Sequence, residues 1–375
     1  MNLKSLMPEI TKETFDIMRL IRTERVGIKT FQNLIALYKT PQKALEAIPE
    51  LAAKGGSLKN IKPCSIGDVN AEIEKIHNFG AEIICYQDKI YPKLLTQISD
   101  FPPILTIKGN HELLQNKSLA IVGSRNASLN GCKLAQKLAS ELGENSIIIV
   151  SGLARGIDTY AHIGSLTTGT IAVIAGSIDH IYPRENEILY HKITEDGLII
   201  SETPFGTAPT SQNFPQRNRI ISGISYGTLI AEATLKSGSL ITARFALEQN
   251  REVFAIPGFP VDSRYAGNNY LLKNGAILVE NSNDILQVLN DIKEPNWLND
   301  KPIDHYMIAN QHFSEAEIAE VRVIIKNNLS HTPIKIEEII ESNNFPVNIV
   351  LTVILELELA GKIIRHPGNY ISMIF

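Results

Sequence analysis

Between Ser118 and about Ile292 the chain alternates short apolar runs, Gly- or Ser-rich turns and helix-period stretches. The runs cover 119–122, 147–150, 171–175, 198–200, 228–231, 253–256 and 277–279. This alternation predicts a mostly parallel sheet covered by helices on both faces. Segments 83–85 and 104–107 predict further strands ahead of it.

Residues 13–60 follow a helical period instead, with Phe15, Met18, Leu20 and Ile21 on one spacing and Phe31, Leu34, Ile35 and Tyr38 resuming it after Gly27. Pro41 suits a first helical turn capped by Thr40. At the other end, Ser314 and Glu317 suit a capping box. Helices are expected over 315–328, 335–342 and 346–360, then Ile363-Ile364-Arg365, a turn at Pro367-Gly368-Asn369 and Tyr370-Ile371. Three helices and a hairpin make a winged helix. The expected fold is therefore α/β: an extended Rossmann-like, mostly parallel sheet, flanked by a small N-terminal helical domain and a C-terminal winged-helix-like domain. The expected boundaries are 1–65, 66–294, a linker at 295–312 carrying Trp297 and Pro302, and 313–375.

Composition narrows the function. The 375 residues are 44% hydrophobic and 20% charged, with a net charge of −4. A strongly basic nucleic-acid binder is excluded, so a polyanion site has to be a local patch. Cys64, Cys85 and Cys132 are far apart and form no CxxC, which fits a reducing compartment and neither a disulfide framework nor a zinc cluster. The N-terminus carries acidic residues where a signal peptide needs an apolar run, and no stretch approaches the roughly 18 apolar residues of a membrane helix. The expectation is a cytoplasmic protein with no membrane contact, metal or cofactor.

In a parallel sheet the ligand-bearing loops follow the strands. The first is Gly123-Ser124-Arg125-Asn126, where Gly permits a tight turn, the next helix offers free N–H groups and Arg125 offers a forked donor to phosphate. The second runs Ser151-Gly152-Leu153-Ala154-Arg155-Gly156-Ile157-Asp158 and leads to His162. Asp158 is expected to cap the helix; His162 is a candidate general base, with a structural role expected for a lone His on a helix. Asp179 and Glu202, in the next two loops, are expected to brace them. Arg217-Asn218-Arg219 follows Phe214, and since Arg217 and Arg219 cannot share a helix face, one is expected to meet ligand and the other to brace a loop. Lys236-Ser237-Gly238, before a helix from about Leu240, is a second anion site. Phe205 and Phe214 are candidates for stacking on bases. GxGxxG, GxxxxGK[ST] and GxSxG are all absent, which weakens dinucleotide, ATP and serine-hydrolase readings.

Taken together, IVGSR, SGLARGID, AGSID, YPREN, ISETPFG, FPQRNRIISGIS, KSGSLITARFALE, VFAIPG and AGNNYLLKNGA, in this order, resemble the DprA/Smf family of DNA-processing proteins. The resemblance is strong over about 85–295. Residues 13–60 look like that family's N-terminal SAM- or helix-hairpin-helix-like domain and 330–375 like its winged-helix tail. It implies a homodimer that binds single-stranded DNA without sequence preference, protects it and helps load the recombinase RecA during natural transformation, with no catalysis. Carried over by motif, the pocket uses Gly123, Ser124, Arg125, Lys236, Ser237 and Gly238, with the helix bearing Arg217, Asn218 and Arg219 close by; Arg155 joins from the second loop. The expected third helix of the tail ends Leu355-Glu356-Leu357-Glu358-Leu359, and 331–375 carries a net charge of −2, which argues against duplex binding there and for a protein contact. The rival reading is a LOG-like nucleotide phosphoribohydrolase. Its PGGxGTxxE motif is missing: Glu232 stands one residue too far from Gly227-Thr228, and no Pro-Gly-Gly precedes it. A duplex-binding regulator built on the winged helix is a third reading, weakened by the acidic helix.

Overall fold

The computed structural model describes residues 10–292, 313–366 and 368–374, so the expected linker at 295–312 and Pro367 of the expected turn lie outside the described residues. Thr11 accepts the Thr14 N–H and starts α1 (Lys12–Ile21), Gly27 opens α2 (Ile28–Tyr38), and Thr40 caps α3 (Pro41–Lys54) with Pro41 in its first turn. Ile17, Leu20, Phe31, Leu34 and Ile48 are buried among these helices, as their spacing requires. Next, α4 (Ile66–Asn78) precedes the sheet.

The central elements are β1 (Glu82–Cys85), β2 (Ile104–Gly109), β3 (Ser118–Val122), α5 (Leu129–Glu144), β4 (Ile148–Ser151), α6 (Ile157–Ser165), β5 (Thr170–Val173), α7 (Glu187–Asp196) and β6 (Leu198–Ser201). They continue as α8 (Asn213–Gly223), β7 (Gly227–Ile230), α9 (Ser239–Glu248), β8 (Glu252–Ala255), α10 (Ala266–Lys273), β9 (Ile277–Leu278) and α11 (Ser282–Asp291). The strands form one nine-stranded sheet in the order β1-β2-β6-β5-β4-β3-β7-β8-β9. From β6 to β9 every pair is parallel, whereas β1 and β2 extend the β6 edge antiparallel. Side chains alternate across the sheet. Ala120 and Val122 join the layer under α8, α9 and α10, with Ile220, Ile221, Ala243 and Leu271; Leu119 and Ile121 join the layer under α5, α6 and α11, with Leu138, Leu142, Ala161 and Ile285.

The winding decides where a ligand fits. Successive strands run outward from β3 to β6, and the chain then returns to place β7 on the other side of β3. The loops after β3 and β7 therefore diverge at a topological switch point, where a crevice opens beyond the carboxyl ends of the strands.

The C-terminal segment comprises α12 (Glu315–Asn328), β10 (Ile334–Lys335), α13 (Ile336–Asn343), α14 (Val347–Leu359), β11 (Ile363–His366) and β12 (Tyr370–Met373). The capping box at Ser314 and Glu317 is formed. Strand β10 is an addition to the expected elements: Lys335 pairs with Tyr370 and α13 starts one residue later. A two-residue strand leaves no alternation to read, and the tertiary pairing with β12 decides it. Residues 10–71 and 313–374 form one compact unit, and 72–292 a second.

The third helix carries its two acids as expected, and both are paired. The Glu356 carboxylate is 1% exposed and held by two bonds from Arg322, at 2.6 and 3.0 Å, while Glu358 takes Arg365 at 3.1 Å. Arg322 lies on α12, ahead of 331–375, and Arg365 lies on β11, so both acids are neutralised inside the domain.

Candidate nucleic-acid interface

The loops after β3 and β7 are locked to one another. The Ser124 N–H donates to the Glu232 carbonyl at 2.7 Å. The Glu232 carboxylate, fully buried, accepts the Ser128 N–H at 2.9 Å and its hydroxyl at 2.5 Å. Ser128 in turn caps α5 by accepting the Gly131 N–H at 3.0 Å. Gly123 lies where a Cβ would stand 2.9 Å from the Glu232 carbonyl, so only glycine lets the two loops approach this closely.

A cleft of about 370 Å³ opens above this junction. Gly123, Ser124 and Arg125 form one wall, Ser237, Gly238 and Ser239 another, and Phe214, Arg217 and Asn218 of α8 a third. Arg125 is exposed, and its guanidinium lies over the Phe214 ring. Among the described residues no hydrogen bond or ion pair occupies it. Asn218 ties α8 to the β7 loop through the Gly238 carbonyl at 3.4 Å.

Arg217 forms the floor and is 6% exposed. It donates to the Gly152 carbonyl at 2.5 Å and to that of Val173. A Cβ on Gly152 would lie 2.5 Å from the Arg217 guanidinium, so Gly152 makes the room that this arginine fills. Burial lowers Arg217 to about 10, opposed by Asp158 and aided by Arg125, which leaves it cationic at neutral pH. Asp158, expected as a cap, does something else: Gly156 occupies the N-cap, and the Asp158 carboxylate accepts the Gly152 and Ala154 N–H groups at 3.1 and 3.4 Å. Burial raises its carboxyl to about 6 against the pull of Arg217, those two N–H groups and Arg125. His162 is structural, bonded to Thr170 at 2.7 Å and to the Leu153 N–H at 3.3 Å, and burial together with Arg217 lowers it to about 3.

The remaining candidates separate. Arg155 is exposed, 3.8 Å from Glu185, and lines a smaller neighbouring depression with Arg125, Tyr182, Phe214 and Arg217. Lys236 is exposed in the β7 loop just before Ser237, outside the lining of the cleft. Arg219 is not brought to the cleft. Two residues along α8 it points away, 4% exposed, its Nη2 donating to both Glu202 carboxylate oxygens at 2.6 Å and its Nε 3.4 Å from Asp100. Glu202 and Asp179 brace their loops as expected; Asp179 accepts the Ser177 hydroxyl and the Gly206 N–H. Phe205 is also elsewhere: it packs edge-on against Phe79 at 5.8 Å, beside Lys108. Among the described residues no group of His, Cys, Asp or Glu is placed to hold a metal ion. No described helix is long and apolar enough to cross a membrane.

Residues 82–290 match the family model described as DNA recombination-mediator protein A, while 11–74 match the DprA-like N-terminal HHH domain and 313–369 the DprA winged helix domain. The chain belongs to the DNA recombination-mediator protein A family. Protein Smf of Escherichia coli (strain K12) is 38% identical over 294 residues, covering 78% of this chain and 77% of that protein. DNA processing protein DprA of Streptococcus pneumoniae is 46% identical over 201 residues, covering 53% of this chain and 71% of its own. Its X-ray structure superposes with a TM-score of 0.63 at 34% identity, over 76% of this chain and 99% of that one. DNA processing protein A of Helicobacter pylori, solved for its single-stranded DNA binding mode, gives a TM-score of 0.51 at 31% identity, over 56% of this chain and 95% of that one.

Within this DprA-family chain one feature escaped the sequence reading. Tyr182, 48% exposed, meets Phe214 edge-on at 5.5 Å, so that Tyr182, Phe214 and Arg125 form a continuous aromatic and cationic ledge beside the cleft. The YPREN motif puts Tyr182 in a strand-end loop, but no local signal relates it to a ring 32 positions away; only the winding of the sheet does.

Proposed function

We propose that this protein binds single-stranded DNA without sequence preference and without catalysis, through the cleft between the β3 and β7 loops. The observation that carries this reading is the convergence of Arg125, Arg217 and the α9 N-terminus on one crevice flanked by the Phe214 and Tyr182 rings. Backbone phosphates suit the cations and N–H groups. Bases of any identity suit the rings, because every base has a π-face. The H. pylori relative, which binds single-stranded DNA, supports the same reading. The binding residues we assign are Gly123, Ser124, Arg125, Arg155, Arg217, Asn218, Lys236, Ser237 and Gly238, all within the segment 66–294; Arg219 holds the fold of α8. From the family we extend the reading to a cytoplasmic homodimer that protects incoming strands and delivers them to a RecA-type recombinase.

The test is a titration of labelled oligo-dT against its duplex at several salt concentrations. Single strands should bind more tightly, with a log–log salt slope of roughly −0.7 per phosphate contacted. Equal affinity for duplex, or no salt dependence, removes the cleft as the site.

The phosphoribohydrolase reading is weakened by Glu232. Its carboxylate is spent on the backbone and hydroxyl of Ser128 rather than presented to a sugar. Nucleoside monophosphates should release no base. Glu232→Gln should lower the melting temperature and loosen DNA binding, because a buried acceptor is lost at a cost of about 1–3 kcal/mol. Base release that Glu232→Gln abolishes would favour the enzyme.

A further inference from the structure

We infer that the winged-helix domain is a docking module for the chain's own N-terminal helices, with its third helix committed to that contact and closed to a DNA groove. A helix that reads DNA must present several side chains to base edges. From Ile349 to Ala360 no residue of this helical stretch is exposed. One side of α14, carrying Ile349, Val350, Val353, Ile354 and Leu357, fills the domain's own core. The opposite side carries Leu355, Glu356, Leu359 and Ala360, and it packs on α3 and α2. Apolar side chains and the paired Glu356 thus leave α14 enclosed on both of these sides.

The contact is close and specific. A Cβ on Gly55, at the end of α3, would run into the Glu356 carbonyl and stand 2.8 Å from the Ala360 Cβ. Gly55 has an ordinary right-handed conformation (φ −66°), so its lack of a side chain serves the approach of α14 and not its own backbone. Arg25 donates to the Leu359 carbonyl at 3.1 Å, placing a cation at the negative end of α14. An ion chain closes the edge: Lys54 meets Glu315 at 2.7 Å, Glu315 meets Arg322 at 3.2 Å, and Arg322 meets the buried Glu356 at 2.6 Å. The protein partner of the third helix is thus supplied by the same chain. The two ends of the sequence act as one body.

The test uses the full chain with a protease site inserted within 293–312. After cleavage at micromolar concentration, the C-terminal fragment should co-elute with the remainder. Gly27→Ala, whose Cβ meets nothing within 4 Å, should behave like the parent. Gly55→Leu should release the fragment at a concentration at least tenfold higher than the parent does, and amide exchange across α14 should accelerate with it. Arg25→Gln removes a contact without adding bulk and serves if Gly55→Leu does not fold; it should weaken retention at least threefold. Free dissociation of the cut parent, or retention by both variants equal to the parent, overturns the inference. So does slowed exchange across α14 when duplex DNA is added to the intact chain.

Discussion

The Arg125 guanidinium lies 4.8 Å from the centre of the Phe214 ring, on the face of a side chain that reaches the cleft from the first turn of α8. The ring fixes the direction of the cation while leaving its donors at the plane's edge open to phosphate. Charge and stacking surface are therefore parts of one device.

Arg125→Ala should weaken oligo-dT binding about ten- to hundredfold, the equivalent of about 1.5–3 kcal/mol for one charge-assisted contact. Phe214→Ala should cost about 1–3 kcal/mol by removing a stacking face. Because Phe214 also orients Arg125, the double variant should lose less than the sum. Strict additivity in fluorescence anisotropy would mean that the two act separately.

Lys236 and Arg219 should respond in opposite ways. Lys236→Ala removes an exposed cation and should leave the melting temperature unchanged while reducing affinity. Arg219→Ala strands Glu202 and Asp100 and should lower the melting temperature, by less than a fully buried pair would because both carboxylates keep part of their solvent contact. In the fraction that remains folded, measured below the melting temperature, its single-strand affinity should be near that of the parent.

This contrast marks where the sequence stopped being informative. The strand-and-loop order was legible because buried parallel strands read as apolar runs ending in Gly and Ser, so the loops that meet at Ser124 and Glu232 could be named. That Arg217 and Arg219 diverge was legible from their spacing on α8. Which of them faces the cleft depends on Glu202 and Asp100, carboxylates from other loops. Phe205 and Phe214 looked equivalent for the same reason, until Phe79 claimed one and Arg125 the other. Strand direction at β1 and β2 was equally silent, since a short apolar run reads alike both ways.

Asp158 should set a pH dependence of stability. Its folded value of about 6 stands above the usual carboxylate value near 3.9, so between the two the folded chain holds a proton that the unfolded chain releases. The stability this contributes is full below about pH 4 and is lost as pH rises through 6. Asp158→Asn lacks the titration. In denaturant unfolding at pH 5 and pH 7, the parent's stability relative to Asp158→Asn should therefore fall as pH rises, on the order of 1–2 kcal/mol. A pH-independent difference would show that Asp158 ionises normally.

A chain truncated after residue 302 should keep oligo-dT affinity within about threefold, under roughly 0.7 kcal/mol, because the cleft lies wholly between Val122 and Thr242. The sequence alone suggests that such a cut severs few core contacts. The docking of α14 on α3 changes that expectation. Truncation should lower the melting temperature of the N-terminal helices and speed amide exchange in α3, with the central sheet unaffected. Unchanged exchange in α3 would mean that it is stable without its partner.

That docking also imposes an order of events during synthesis. The ribosome finishes α3 roughly 290 residues before it begins α14. At about 5–20 residues per second, the α3 surface that α14 covers waits roughly 15–60 s for its mate. The central sheet is complete well within that interval, since its last strand ends at Leu278. Helices α1 to α3, made early, are thus among the last to reach their final packing, and during the wait their uncovered apolar side is open to chaperones and to neighbouring nascent chains.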